Sequence, residues 1–252
     1  MSVLVEKDGP VTIITIDRPA RRNAVDPDTA VTLRNAFTAF ATDKDARAAI
    51  LTGSEGHFCA GFDLNAVGAS RYDPDGPGPM GPTRMLLEKP VIAAVEGHAV
   101  AGGLELALWC DLRVAGASAV FGVYCRRWGV PLIDGGTVRL PRIVGMGRAM
   151  EIILTGRKVP AEEALRIGAC EHVVPEGKAR EFAEAMAQEI ARFPQACMRA
   201  DRRSAYAQQG LSLREAMRKE WYNGFPAFVA EGASGAARFA SGKGRHGDFR
   251  DI

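Results

Sequence analysis

One carboxylate, Glu105, lies in an otherwise apolar stretch that follows the glycine pair Gly102 and Gly103. The stretch lacks strand-like alternation and helix breakers, which predicts a helix from this pair to about Asp111. Glycine at a helix start lets a ligand approach the free backbone N–H groups, which carry the positive end of the helix dipole. Glu105 follows Gly102 by three residues and therefore shares its helix face. This arrangement favours chemistry through an enolate, whereas the structural alternative is close packing at the glycines and a Glu105 that reaches solvent.

Two predicted strands would position this helix. The apolar residues 91–95 predict a buried strand that leads to the helix through a turn at Gly97 and His98. Residues 48–52 predict another strand, and the motif HFCAGFDLN follows it at residues 57–65. The two strands therefore bring two glycine-containing turns into the same sheet-to-helix region.

The order of strand, glycine turn, AGFD and then EGHAVAGGLELA resembles the crotonase (enoyl-CoA hydratase/isomerase) superfamily. The resemblance extends through residues 121–175, includes the N-terminal ITIDRPARRNAV, and covers most of residues 3–193. It implies a crotonase-like α/β spiral of ββα units over residues 1–193. It also implies a helical region over residues 194–252 that covers the pocket and builds a homotrimer or a dimer of trimers.

The resemblance further implies an acyl-CoA substrate, with coenzyme A entering as part of the thioester, so that no separate cofactor and no metal are expected. In this superfamily two backbone N–H groups hold the thioester oxygen, and they correspond here to Phe62 and Gly102. Glu105 would act as the acid/base. Each amide donor in a dry site is worth about 3 kcal/mol of transition-state stabilisation. The leading prediction is hydration or double-bond migration of a 2- or 3-enoyl-CoA.

Other positions match those that contact substrate or coenzyme A in the family. Arg22 and Ala24 lie in a polar loop that would follow the nucleotide, although arginines in such a loop are also often merely solvated. In the tail, Phe239, Lys243 and Phe249 would contribute adenine or phosphate contacts. The remaining substrate-binding positions are Ala60, Gly61, Asp63, Leu64 and Gly103. Asp63 is also a candidate cap for a helix that begins at Leu64.

The chain departs from the hydratase pattern at the second carboxylate. Phe121, Gly122 and the later GGT motif keep the hydratase spacing, but Cys125 occupies the position of the second Glu. A cysteine has a reference pKa of about 8.5, so it is mostly neutral near pH 7 and orients water poorly. Cys125 is therefore either a residue of altered chemistry or a small hydrophobe in the pocket wall.

Asp134 is the other candidate carboxylate. Relatives that isomerise double bonds carry an acid just before the glycine pair, usually at the position that matches Ile133. The offset of one residue leaves two alternatives: Asp134 enters the site, or it caps a helix that starts near Gly136. A Glu105 and Asp134 pair would restore two-carboxylate chemistry, whereas Glu105 alone could move a proton between the α and γ carbons.

Proline and glycine are concentrated in residues 66–82, which excludes a regular element and predicts a mobile loop. Relatives use this region to form a wall of the acyl pocket, and an inert insertion is the alternative. Elsewhere, Asp26 before Pro27 predicts a helix start, residues 142–155 predict one amphipathic helix, and the tail is expected to be helical from Leu213 to about residue 228.

Composition restricts the other functions. With 252 residues, 47% hydrophobic and 25% charged, the chain is typical of a globular protein. Lys+Arg 32 nearly balance Asp+Glu 30, so neither nucleic acid nor an acidic membrane is expected as a partner. Five cysteines without a CxxC motif suit a reducing compartment, and no signal peptide or membrane span is evident, which predicts a cytoplasmic protein.

Three rival functions remain, of which RNA binding is disfavoured because the first predicted helix, residues 26–43, carries only Arg34 as a cation. Of the other two, one is another enolate reaction, such as decarboxylation, thioester hydrolysis or dehalogenation. The other is a non-catalytic acyl-CoA-binding protein, which the Cys125 replacement makes credible.

Overall fold

The computed structural model describes residues 2–68 and 73–244. Backbone contacts divide the chain into two compact units, residues 1–188 and 189–252. Within the described ranges, no helix is both long enough and apolar enough to cross a bilayer. All five cysteines are free thiols.

The first unit contains two β-sheets. The larger, six-stranded sheet has the order β1-β2-β3-β4-β6-β9 and is parallel except for the antiparallel β1–β2 pair. The smaller, three-stranded sheet has the order β5-β7-β8. The strands are β1 (Val3–Asp8), β2 (Val11–Ile16), β3 (Ala48–Gly53), β4 (Val91–Val95), β5 (His98–Val100), β6 (Leu112–Gly116), β7 (Val120–Gly122), β8 (Val159–Pro160) and β9 (His172–Val174).

Helices connect these strands and continue into the second unit. Those of the first unit are α1 (Pro27–Thr42), α2 (Gly102–Trp109), α3 (Gly136–Val144), α4 (Met146–Thr155) and α5 (Ala161–Ile167). The next helix, α6 (Ala179–Arg192), crosses the boundary. The second unit continues with α7 (Gln195–Ala207), α8 (Leu213–Ala227) and α9 (Ala233–Ala240).

The chain passes from the larger sheet to the smaller one at Gly97, just before α2. Every residue of β4 is buried, as expected for a central parallel strand covered on both faces. Gly97 then adopts a φ of +50°, and a Cβ there would lie 2.3 Å from the carbonyl oxygen of Gly56. Only glycine fits, and the turn sends residues His98–Val100 into the smaller sheet as β5. Sequence analysis missed this strand, because three residues give too short a pattern.

Helix α1 confirms the predicted start and carries much of the core. Asp26 Oδ1 accepts a hydrogen bond of 2.9 Å from the Thr29 N–H, and Pro27 occupies the first turn. Phe37 is fully buried and meets the ring of Trp109 edge-on, with centroids 4.8 Å apart. Since Trp109 ends α2, this aromatic contact fixes α2 against α1.

The predicted single helix over residues 142–155 is wrong. Helix α3 begins earlier, at Gly136, and the chain breaks at Gly145, whose φ is +80° and ψ 154°. That conformation lies outside the helical region and is open mainly to glycine, so α4 starts again at Met146. The helix start near Gly136 is confirmed, whereas its cap was not predicted, because the cap comes from a distant part of the chain.

In the second unit, Ser212 starts α8 with a capping box, in which the Ser212 N–H donates to Glu215 Oε2 at 3.0 Å. The helical tail extends beyond the predicted end near residue 228, through a π-helical turn at Phe228–Gly232 and then α9. The Glu231 carboxylate accepts the N–H groups of Ala196 and Cys197 and so caps α7. The π turn therefore brings a carboxylate to the start of α7.

We expect Phe37→Ala to lower the free energy of unfolding by about 3–5 kcal/mol, because the cavity left under Trp109 cannot collapse. Urea unfolding followed by tryptophan fluorescence measures it. Val31→Ala, at an exposed position of the same helix, is the matched control and should change stability by less than about 0.5 kcal/mol. Equal losses for the two variants would contradict this account of the core.

Candidate active site

The start of α2 is held in a strained backbone conformation. Ala101, which precedes Gly102, has φ +54° and ψ −124°, a combination that disfavours any residue with a Cβ. Two hydrogen bonds hold it there: the Ala101 N–H donates to the Gly122 carbonyl at 2.8 Å, and the Glu105 N–H donates to the Ala101 carbonyl at 3.2 Å. Such strain costs about 1–3 kcal/mol and is concentrated at functional sites. No feature of the sequence indicated this strain.

Both glycines of the pair are required by their surroundings. A Cβ at Gly103 would lie 2.1 Å from the carbonyl oxygen of Cys59, and a Cβ at Gly102 would lie 2.6 Å from the sulfur of Met80. The packing alternative from the sequence therefore holds at these positions. It coexists with a free donor, because within the described residues no acceptor meets the Gly102 N–H.

The second predicted donor, the Phe62 N–H, lies next to a glycine that touches α2. Gly61 has φ +99°, and a Cβ there would lie 3.0 Å from the Gly102 nitrogen. The Gly61 carbonyl accepts from the Val25 N–H at 2.8 Å. In a trans peptide the N–H points opposite to the carbonyl, so the Phe62 N–H points away from Val25. It has no acceptor among the described residues. The N–H groups of Gly102 and Phe62 thus lie on adjacent segments, and neither has a hydrogen-bond acceptor among the described residues.

Glu105 is buried, with 3% of its surface exposed. Its Oε1 accepts hydrogen bonds of 2.8 Å from the N–H groups of Asp134 and Gly136, so the carboxylate caps α3. A Cβ at Gly136 would lie 2.9 Å from Glu105 Cγ, which explains the glycine. The other oxygen, Oε2, has no hydrogen-bond donor in the described parts of the chain.

Burial raises the pKa of Glu105 to about 7, since water no longer stabilises the charged form. The hydrogen bond from the Gly136 N–H opposes this rise, the charge of Asp134 adds to it, and the Arg139 charge opposes it. A carboxyl group with a pKa near neutrality exists in both protonation states at neutral pH. Such a group is suited to both giving and accepting a proton.

Cys125 lies in a short 3₁₀ helix, Tyr124–Trp128, and is buried. Burial raises the pKa of its thiol, and the negative charge of Glu105 raises it further. The Cys125 thiol is therefore held in its neutral form.

The capping alternative for Asp134 is wrong. Gly135 precedes α3 and provides no side-chain cap. The Asp134 carboxylate instead accepts a 3.1 Å hydrogen bond from the Met80 N–H and another from the Thr83 hydroxyl. Burial raises the pKa of Asp134, and these hydrogen bonds oppose the rise. Asp134 reaches Glu105 with its backbone N–H.

The part of the proline- and glycine-rich loop that the structure describes packs against the start of α2. Gly78 and Gly81 form a tight turn, closed by a 2.8 Å hydrogen bond from the Gly81 N–H to the Gly78 carbonyl. Met80, within this turn, is fully buried and packs against Gly102. Arg84 Nη1 donates to three loop carbonyls, those of Asp73, Pro74 and Gly76, at 2.8–2.9 Å. The contacts of Arg84 with the loop could not be predicted from the sequence, because a single arginine after a loop forms no distinctive pattern.

Arg18 joins the N-terminal loop to the loop that contains Gly61 and Phe62. Its guanidinium pairs with Asp26 at 2.7 Å and Asp63 at 3.2 Å and donates to the Ala24 carbonyl. Asp63 also caps the short helix Leu64–Ala66 through a 3.1 Å bond from the Asn65 N–H, as predicted.

The other predicted binding residues are dispersed. Arg22 is exposed, and its backbone adopts the left-handed conformation with a φ of +48°. The Arg22 carbonyl accepts a hydrogen bond of 3.0 Å from the Ala60 N–H. Ala24 is buried, whereas Leu64 is exposed. Lys243 is exposed in the second unit, and Phe249 lies outside the described residues.

His98 has a histidine partner. Its Nδ1 lies 3.4 Å from the Nδ1 of His57, and the ring centroids are 5.2 Å apart. Burial lowers the pKa of His98, and the neighbouring imidazole lowers it further. Neither ring contacts the residues around Glu105 described above.

We expect Gly103→Ala to destabilise the protein by about 1–3 kcal/mol, because the new methyl group meets a backbone carbonyl that cannot move aside. Gly147→Ala is the control, since a Cβ there has no neighbour within 4 Å. It should be neutral or stabilising by up to about 1 kcal/mol through helix propensity. Thermal unfolding of both variants checks the contrast, and a stable Gly103→Ala variant would contradict the packing at α2.

Burial of Glu105 should make the stability of the protein depend on pH. Its folded-state pKa of about 7 exceeds the ordinary value of 4.5, so the native state binds the proton more tightly than the unfolded state. Stability should therefore fall as pH rises through this window, by about 3 kcal/mol at most. Glu105→Gln removes the titration but keeps an acceptor oxygen. Urea unfolding at about pH 4.5 and about pH 8 should show that the free energy of unfolding of Glu105→Gln rises relative to that of wild type at the higher pH. If the stabilities of wild type and Glu105→Gln changed with pH in the same way, the raised pKa of Glu105 would be refuted.

Comparison with known proteins identifies the family. The model of the enoyl-CoA hydratase/isomerase family matches residues 6–224. A Mycobacterium tuberculosis protein named enoyl-CoA hydratase EchA19 is 37% identical over 247 residues, covering 93% of this chain and 91% of the relative. Carnitinyl-CoA dehydratase of Salmonella typhimurium is 40% identical over 195 residues, covering 75% and 74%. The crystal structure of enoyl-CoA hydratase EchA1 from Mycobacterium marinum superposes with a TM-score of 0.91 at 35% identity, covering 95% and 96%. The chain belongs to the enoyl-CoA hydratase/isomerase family, in the crotonase superfamily.

Proposed function

We propose that this enzyme acts on an acyl-CoA thioester through an enolate, by adding or removing water at a 2-enoyl-CoA or by moving its double bond. One observation carries the proposal. Glu105 is a buried carboxyl group with a pKa of about 7, and it lies one turn along α2 from a backbone N–H that lacks an acceptor among the described residues. Family membership supports the coenzyme A thioester as the substrate class.

The N–H groups of Phe62 and Gly102 would bind the thioester oxygen. As charge develops on that oxygen in the enolate, two fixed donors at the positive end of α2 stabilise it without reorganisation. Each donor would contribute about 3 kcal/mol to lowering the barrier. The strained Ala101 supports this role, because its conformation fixes the direction of the following amide.

Glu105 would transfer the proton at the carbon next to the thioester carbonyl. Its Oε1 is held by two amides, which leaves Oε2 as the oxygen for proton transfer. Because the pKa is near neutrality, loss and uptake of the proton have similar free energies, as a reversible reaction requires.

Two observations favour different reactions at this site. The names of the similar proteins, enoyl-CoA hydratase and carnitinyl-CoA dehydratase, favour addition or elimination of water. The neutral thiol of Cys125 beside Glu105 favours double-bond migration instead, because one acid/base can move a proton between α and γ carbons without an oriented water. Hydration is the leading candidate and isomerisation the second.

We further propose that coenzyme A enters only as part of the substrate, with no separate cofactor. The residues that would contact the substrate or its coenzyme A portion are Arg22, Ala24, Ala60, Gly61, Asp63, Leu64, Gly103, Lys243 and Phe249. The exposure of Arg22 and Lys243 supports an accessible cationic contact for phosphate. Asp134 and Cys125 would lie at the catalytic site beside Glu105.

The finer architecture is also a proposal: a spiral of ββα units and a homotrimer or dimer of trimers built with the C-terminal helices. Helix α8 supports the assembly, since it exposes an apolar stripe at helical spacing that includes Met217, Trp221 and Phe225. The free cysteines support a reducing, cytoplasmic location.

Incubation with crotonyl-CoA and with a 3-enoyl-CoA tests the proposal. We expect hydration of the first or migration in the second, and Glu105→Gln should lower kcat by about 10²- to 10⁴-fold while acyl-CoA affinity stays similar. Glu176→Gln, an exposed carboxylate, is the matched control.

Other outcomes separate the rivals. Turnover of another thioester class, such as a malonyl-type or halogenated acyl-CoA, would indicate a different enolate reaction. Tight acyl-CoA binding without turnover would indicate a binding protein, and an unchanged kcat in Glu105→Gln would remove Glu105 from the mechanism.

A further inference from the structure

The Asp134 carboxylate joins two segments that are far apart in sequence. Only 3% of this residue is exposed. Its Oδ1 accepts hydrogen bonds from the Met80 N–H and from the Thr83 hydroxyl, both in the proline- and glycine-rich loop. Its own backbone N–H donates to Glu105 Oε1 at 2.8 Å. Asp134 therefore contacts the loop with its side chain and the acid/base with its backbone.

Two arginines reinforce the same junction. Arg139 donates to the Asp134 carbonyl at 2.9 Å and to the Thr83 carbonyl at 2.7 Å. Arg84, which also binds the three loop carbonyls, donates to the Ile133 carbonyl at 3.4 Å. Since both guanidinium groups bridge the loop and the segment before α3, the junction is fixed at several points.

The fit leaves no spare space. A Cβ at Gly78 would lie 2.0 Å from the Thr83 hydroxyl and 2.4 Å from Asp134 Oδ1, so glycine is required where the loop passes over the carboxylate. Two residues further, Met80 packs against Gly102, whose N–H is a proposed oxyanion donor. Displacement of Asp134 would move both the loop over that donor and the amide that anchors Glu105.

We propose that Asp134 is a positioning residue, which fastens the 78–83 loop over the start of α2 and fixes the amide that holds Glu105, and that it does not act as a second proton-transferring carboxylate. This inference rests on the proposed function, because it assigns a role relative to Glu105. A positioning role explains why the Asp134 side chain binds the loop while the Asp134 N–H binds Glu105.

The charges around the pair determine how a substitution should affect pH dependence. The charges of Asp134 and Arg139 act on Glu105, and the charge of Glu105 acts on the Cys125 thiol. Asp134 is in turn affected by the charges of Arg84 and Arg139 and by the hydrogen bond from the Thr83 hydroxyl. A negative charge at position 134 raises the pKa of Glu105. Asp134→Asn keeps an acceptor oxygen for the loop and removes that charge, so Glu105 should titrate at a lower pH in this variant.

Kinetics of Asp134→Asn, Asp134→Ala and Thr83→Val on the enoyl-CoA substrate provide the first test. Thr83→Val keeps the shape and charge of the junction but loses one donor, and Asp134→Ala loses both acceptor contacts. We expect kcat to fall most in Asp134→Ala, by up to about 100-fold, with a smaller change in KM. Asp134→Asn should retain more activity and show a pH–rate profile shifted to lower pH.

Asp45→Asn and Thr38→Val, on exposed positions, are the matched controls. Two kinetic results would overturn the proposal. One is a wild-type kcat and pH profile in Asp134→Ala. The other is an Asp134→Asn variant as inactive as Glu105→Gln with unshifted Glu105 titration, which would make Asp134 a direct proton-transfer group.

The second test needs no turnover and therefore separates this proposal from the proposed function. Carboxyl ¹³C NMR, with the Glu105 resonance assigned by its absence in Glu105→Gln, should show titration near pH 7 in wild type and at lower pH in Asp134→Asn. Hydrogen exchange in residues 73–84 should accelerate in Asp134→Ala and Thr83→Val. Unchanged titration and exchange would refute the positioning role even if the enzyme is active. If no thioester is turned over, the same measurements still decide whether Asp134 holds the loop.

Discussion

The hydrogen bonds from the Asp134 and Gly136 N–H groups to Glu105 Oε1 join α2 to α3, and the rest of the site is arranged around them. They compensate in part for taking a carboxyl group out of water, and the uncompensated part appears as its raised pKa. The protein thus has a charged group that is less stable in the folded state than in water. This penalty brings the pKa of Glu105 near neutrality, and it also makes the site a local source of instability.

Close backbone approach is the second condition of the site. Four glycines of the site lack room for a Cβ. A Cβ would meet the Gly102 nitrogen at Gly61, the Met80 sulfur at Gly102, the Cys59 carbonyl at Gly103 and the Glu105 side chain at Gly136. These contacts bring two loops and two helix starts together and leave two N–H groups without acceptors among the described residues. Ala101 adds strain that only this surrounding structure can maintain. Rigid amides of this kind stabilise developing charge without moving during the reaction.

The loop between β3 and β4 links the start of α2 to the segment before α3. Its described part is fastened through Asp134, Arg84 and Arg139, and Met80 reaches the amide at the start of α2. A change in this loop would therefore act both on the Gly102 amide and on the segment that anchors Glu105.

The sequence by itself determined the family, the strand β4, the helix with Glu105, and the Asp26 cap of α1, because these depend on local patterns and near-neighbour hydrogen bonds. Only the tertiary structure decided the cap of α3, the strand β5 and the direction of the Asp134 side chain. The α3 cap comes from Glu105, which is 31 residues away in the chain. The Asp134 partners, Met80 and Thr83, are likewise more than 50 residues away. Contacts between distant residues leave no periodicity in the sequence, so folding alone shows which oxygen meets which amide.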